Sequence, residues 1–116
     1  MADRVDSLGM FATAAAFPEQ IEEAVATAHQ VEGLPDGTQI DNVLVLGMGG
    51  SGVAGDLLAH IAGPFMPVPV VVVKGYEPPS YVNERSLVFA MSFSGHTEET
   101  LEAVTTAAYL GTGNVV

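Results

Sequence analysis

The chain has 116 residues, 48% of them hydrophobic, and its fourteen acidic and three basic side chains give a formal charge of −11. That is room for one core-bearing domain, and the charge argues against nucleic acid, which is held chiefly through Lys and Arg. The absence of cysteine excludes disulfides, thiolate metal sites and a catalytic thiol, and suits a cytoplasmic setting.

Asp3, Arg4 and Asp6 precede only a short apolar patch, the wrong charge order for a secretory signal. The longest apolar run, residues 68–73, is too short to cross a bilayer, is preceded by Pro67 and contains Pro69. Residues 1–37 read as a helical arm. Within it, residues 18–31 place Ile21, Val25 and Ala28 at helical spacing, with Glu19, Glu22 and Glu23 at the end the helix dipole favours for acids. That helix is expected to pack against a sheet, and Gly33, Pro35 and Gly37 end it.

Residues 38–116 form the second unit, where apolar runs alternate with helical spacing. A strand over 42–46 runs into Gly47, Gly49, Gly50, Ser51 and Gly52, then into a helix over 51–62 with Val53, Leu57 and Ile61 at helical spacing. Gly63 and Pro64 close it, and a second strand follows at 68–73. Residues 74–83 form a loop, residues 87–91 a third strand, and residues 98–110 a helix with Leu101, Val104 and Ala108 on its buried side. Gly111 and Gly113 break that helix, and Val115 and Val116 look like a fourth strand cut short, as in a piece of a longer protein. The pattern predicts an α/β fold: a parallel sheet with right-handed crossovers and helices on both faces.

Ligands of open parallel sheets sit beyond the carboxyl ends of the strands. Two strand-to-helix turns emerge there, residues 47–52 and residues 92–97, and both are rich in small donors. The first is a glycine turn at a helix start, where unpaired N–H groups collect and an anion can come close to the main chain. The second offers three hydroxyls, Ser92, Ser94 and Thr97, where capping a helix needs only one. On so acidic a chain, such an anion would be held by local dipoles rather than by net charge.

Gly49-Gly50-Ser51-Gly52 and Ser92-Phe93-Ser94-Gly95-His96-Thr97-Glu98-Glu99-Thr100 resemble the two signature turns of the sugar isomerase (SIS) domain family. The wider pattern, LGMGGSGVAGDLL then SFSGHTEETL, is similar to its bifunctional phosphoglucose/phosphomannose isomerases, over about residues 40–116. The resemblance implies a flavodoxin-like three-layer fold and a sugar phosphate ligand: glucose 6-phosphate, mannose 6-phosphate or fructose 6-phosphate. It implies phosphate contacts from Ser51, Ser92, Ser94 and Thr97, with Gly49, Gly50 and the main chain around Phe93 and Gly95 lining the seat. It also implies aldose–ketose isomerisation without a cofactor, and a homodimeric full-length form. The family's asparagine-like position is His96 here.

Isomerisation needs ring opening and proton transfer through an enediolate, with a cation steadying the oxyanion. No residue of this sequence is assigned as the catalytic base. Glu98 and Glu99 suit the role of dipole partners in a first helical turn, and the resemblance implies that the catalytic groups lie past Val116. His60 and His96 lack companion ligands for a metal. Two other functions share the same turns. Gly47-Met48-Gly49-Gly50-Ser51-Gly52 fits the dinucleotide fingerprint, but the next strand ends in Lys74 rather than in an acid for the ribose. A sensor that binds sugar phosphate without chemistry would use the same seat.

Overall fold

The computed structural model describes residues 6–116; Asp3 and Arg4, on which the reading against a secretory signal rests in part, lie outside that span. The chain divides into two compact units, Met1–Leu34 and Pro35–Val116. In the first, α1 (Met10–Ala15) and α2 (Phe17–Ala28) follow one another. The Asp6 carboxylate accepts the N–H groups of Met10 and Phe11 and so satisfies two of the donors that a helix start leaves over. Pro18 stands at the first turn of α2, where its missing N–H costs nothing. Neither helix buries a residue, and α2 stops three residues short of the expected end.

The second unit runs β1 (Asn42–Gly47), α3 (Gly49–Ile61), β2 (Val70–Val73), β3 (Ser86–Met91), α4 (Glu98–Tyr109) and β4 (Asn114–Val115), with short 3-10 turns at Gly37–Gln39 and Gly63–Phe65. All pairings are parallel and the strand order is β2-β1-β3-β4. β1 lies between β2 and β3 and is buried along its whole length, which is why it reads as an unbroken apolar run. β2 is two residues shorter than expected: Pro69 has no N–H to give the ladder, although its carbonyl accepts from Val43.

Successive side chains of β1 point to opposite faces. On one face, Leu44 and Leu46 join Val88, Val82, Ala103 and Ala107 in the main core, so α4 covers that side. On the other, Val45 and Val72 lie against Gly55, so α3 covers the reverse. The unit is therefore a three-layer α/β/α arrangement with helices on both faces of a parallel sheet.

Both helices present a different stripe to the sheet from the one their bulky residues suggested. In α3 the buried positions are Gly52 and Gly55, while Val53, Leu57 and Ile61 face outward. A side chain begun at Gly55 would meet Cγ1 of both Val45 and Val72 at 2.9 Å, so only glycine lets the helix come this close. In α4 the buried residues are Thr100, Ala103 and Ala107; Val104 is half-buried, and Leu101 and Ala108 are exposed. Small residues bring the helices near the strands, and their bulky neighbours are turned away. Among the described residues, no helix is long and apolar enough to cross a membrane.

Candidate functional site

The chain leaves β1, goes to one side to form β2, then returns across β1 to form β3 on its other flank. The carboxyl ends of β1 and β3 thus stand side by side at the point where strand order reverses, the usual ligand position in such sheets. Gly47 pairs with Met91 at that edge, so the turns at residues 47–52 and 92–97 leave neighbouring strands at the same level.

Gly47 is where the first turn of α3 meets the end of β3. A side chain begun there would stand 3.2 Å from the Met91 carbonyl oxygen and 3.1 Å and 3.2 Å from the Ser51 carbonyl carbon and oxygen. Only a residue without Cβ lets the first turn of α3 and the end of β3 close on the same spot. Gly49 then takes φ +53, a conformation that favours glycine, and turns the chain into the helix. α3 starts two residues earlier than expected, so Gly49, Gly50 and Ser51 are its first three positions. Those positions have N–H groups without intrahelical acceptors, and Met48 before them provides no side-chain cap. Ser51 is half-buried, Gly49 and Gly50 are exposed, and among the described residues the Ser51 hydroxyl makes no hydrogen bond.

The second turn is closed by its own hydroxyls. Ser92 Oγ lies 2.8 Å from Thr97 Oγ1 and accepts the Gly95 N–H at 3.0 Å. Ser94 Oγ accepts the His96 N–H at 3.2 Å and stands 3.5 Å from Ser92 Oγ. Two of the main-chain donors expected to face an anion, those of Gly95 and His96, are therefore engaged within the turn. None of the hydroxyls caps a helix: Thr97 is the N-cap residue of α4, yet its side chain turns to Ser92 instead. Oxygens that accept from the main chain keep protons to give. Three hydroxyl protons serve at most two bonds within the cluster, so at least one remains to be given.

Around this cluster the exposure is uneven. Phe93 is fully exposed at the tip of the turn, Ser94, Gly95 and His96 are exposed, and Ser92 and Thr97 are half-buried. His96 lines a shallow groove of about 430 Å³ with Glu98, Leu101, Glu102 and Thr105, along the outer side of α4. Glu98 and Glu99 occupy the first turn of α4, where carboxylates suit the helix dipole. Their charges, Glu98 first, raise the Tyr76 phenol above its ordinary value, so the loop after β2 sits in a negative field. Among the described residues, no group of three or more His, Asp or Glu could hold a metal ion.

Lys74 is paired with Asp56 of α3. The sequence carries no local sign of that contact, which joins residues 18 positions apart. The dinucleotide reading meets Lys74 at the end of β2, where a ribose-binding acid would belong.

The SIS domain family matches residues 38–115. Among curated proteins, the bifunctional phosphoglucose/phosphomannose isomerase of Caldicellulosiruptor bescii is 38% identical over 94 residues, covering 81% of this chain and 28% of its own. The protein of that name from Thermoplasma volcanium is 41% identical over 68 residues, 59% of this chain and 21% of its own. Its counterpart in Aeropyrum pernix is 37% identical over 90 residues, 74% and 26% respectively. The chain spans 21% to 28% of the length of these relatives. No solved structure matches the chain.

Proposed function

The chain belongs to the SIS domain family, and from that premise we propose that its paired turns hold the phosphate of a hexose phosphate. The observation that supports this reading is the close approach at Gly47 of the first turn of α3 and the end of β3, the strand from which the hydroxyl cluster of Ser92, Ser94 and Thr97 follows. A phosphate dianion meets strong donors there without needing net positive charge, as the −11 chain requires.

Gly49, Gly50 and Ser51 would donate from the first turn, and Ser92, Phe93, Ser94 and Thr97 from the second, with Gly95 lining the seat. Residues 38–116 would be the phosphosugar-binding unit and residues 1–37 an arm attached to it. The names of the relatives support a place within an aldose–ketose isomerase that interconverts glucose 6-phosphate or mannose 6-phosphate with fructose 6-phosphate. The seat anchors the phosphate, and the reacting carbons extend away from it toward groups that remain unassigned. Cytoplasmic location and a homodimeric full-length form belong to the same reading and rest on the family resemblance. The test is whether fructose 6-phosphate raises the melting temperature of the full-length protein where fructose does not.

A further inference from the structure

The geometry points to Lys74 as the cation of this seat: we propose that, on ligand binding, its ammonium leaves the Asp56 carboxylate for the phosphate group. The inference rests on the phosphosugar reading and adds a residue that selects the charged ligand.

The chain has three basic residues, Arg4, Lys74 and Arg85. Arg4 lies outside the described residues. Arg85 precedes β3 at the amino edge of the sheet and is committed to Asp41 through two hydrogen bonds of 2.7 Å and 2.9 Å. Among the described residues Lys74 is thus the one cation at the carboxyl edge. It follows β2 directly, and because Val73 pairs with Leu46, it comes level with Gly47, where the first turn of α3 meets the end of β3.

Its side chain does not trail into solvent. It crosses the first turn of α3, with Cε and Cδ at 3.1 Å and 3.3 Å from where a side chain on Gly52 would begin. Gly52 immediately follows Ser51, so the stem already lies beside the proposed donors. Asp56, one turn further along the same helix, takes the ammonium. The carboxylate therefore keeps a flexible stem within a short swing of the seat, which lowers the ordering cost of recruiting it.

The exchange is favourable on the same grounds. Both partners of the ion pair are about two-fifths exposed, 43% and 40%, and pairs so placed contribute little. A phosphate dianion at the helix start offers more charge and several oxygens, and charge-assisted bonds to it are stronger. The consequence is a seat that distinguishes a phosphorylated from a neutral sugar by charge as well as by hydrogen bonds, and whose affinity falls with salt.

Calorimetric titration of the full-length protein with fructose 6-phosphate tests this. Lys74→Met should weaken binding about tenfold and flatten its salt dependence, whereas Lys74→Arg should retain most of the affinity. Asp56→Asn should tighten binding a few-fold, because the competing carboxylate is gone. Opposite signs for Lys74→Met and Asp56→Asn are the signature of exchange. If both weaken binding alike, the pair is a structural clamp and the inference is overturned. It is also overturned if Lys74→Met binds as the wild type does while Ser94→Ala with Thr97→Ala binds poorly. If the wild type itself binds fructose 6-phosphate no better than fructose, the phosphosugar reading fails, and this inference with it.

Discussion

Ser92 and Thr97 are joined hydroxyl to hydroxyl at 2.8 Å, tying the residue that follows β3 to the residue that precedes α4. The side chain that would ordinarily cap α4 is thereby spent inside the turn, and the three hydroxyls form one cluster rather than three separate helix-start contacts.

That cluster sets the first expectation. Ligands selective for the folded state raise its melting temperature by mass action, so fructose 6-phosphate should stabilise full-length protein more than fructose does. Replacing Ser94 and Thr97 together by Ala should cut the stabilisation by about 1 to 3 kcal/mol, the scale of hydrogen bonds to a charged group. Equal melting with the two sugars would remove the phosphate seat. A double variant with an undiminished response would move it away from the second turn.

The strand-turn-helix rhythm and the parallel sheet were legible in the sequence because a doubly covered strand is apolar throughout and glycine marks its exit. The side of each helix that meets the sheet was not. Leu101 and Ala108, taken for core, are exposed, and Thr100, Ala103 and Ala107 are buried in their place. Helical periodicity identifies a stripe of large apolar residues, but close packing on a twisted sheet rewards small ones. The hydroxyls of the second turn could be named from the sequence, whereas their mutual bonds could not, since capping and turn closure use the same residue types. Asp56 was invisible for a different reason: nothing near it in sequence announces Lys74.

Glycine packing under α3 supplies the next expectation. An added methyl is ordinarily favourable in a helix, by up to about 1 kcal/mol over glycine. At Gly55 it would collide with two valines at 2.9 Å, and overpacking of that kind costs about 1 to 3 kcal/mol. Gly50, by contrast, has nothing within 4 Å of its would-be Cβ. Urea unfolding should therefore show Gly55→Ala less stable than the wild type and Gly50→Ala equal to it or slightly more stable. A Gly55→Ala variant as stable as the wild type would show that close packing does not require glycine there.

Thr112 is buried and donates its hydroxyl to the Ser86 carbonyl at 2.7 Å, while the same oxygen receives the Asn114 N–H at 3.3 Å. It thus holds the start of β4 against the start of β3. Thr112→Val keeps the shape but leaves the Asn114 N–H short of its acceptor and the Ser86 carbonyl with only the longer 3.4 Å bond from the Asn114 amide, and should destabilise the protein by about 1 to 3 kcal/mol. Hydrogen exchange should rise first at Val116, whose N–H is bonded to Val88. Unchanged exchange there would separate β4 from this anchor.

Acid sensitivity follows from two loop carboxylates. Arg85 holds the Asp41 carboxyl below its ordinary value, chiefly through its hydrogen bonds, and the Thr38 N–H does the same for Asp36. A group depressed in the folded state contributes stability above its unfolded value, near pH 4, and loses it as pH falls through the lowered folded value. Asp41→Asn removes that contribution. The gap in melting temperature between wild type and variant should be larger near pH 7 than at about pH 3, although small, because the pair is on the surface. A gap that stays constant with pH would show that the ion pair is thermodynamically silent.

β2 has a partner only on its β1 side among the described residues, and it consists of four valines in succession. An uncharged, β-branched margin of this sort is a template on which foreign strands can add and fibrils can start. The residues at its ends act as guards: Pro69 stops the valine run from lengthening as a regular strand, and Lys74 sets a charge where the run would otherwise continue. Lys74→Met would strip one of those guards, so a preparation of that variant should be watched for turbidity as well as for lost affinity.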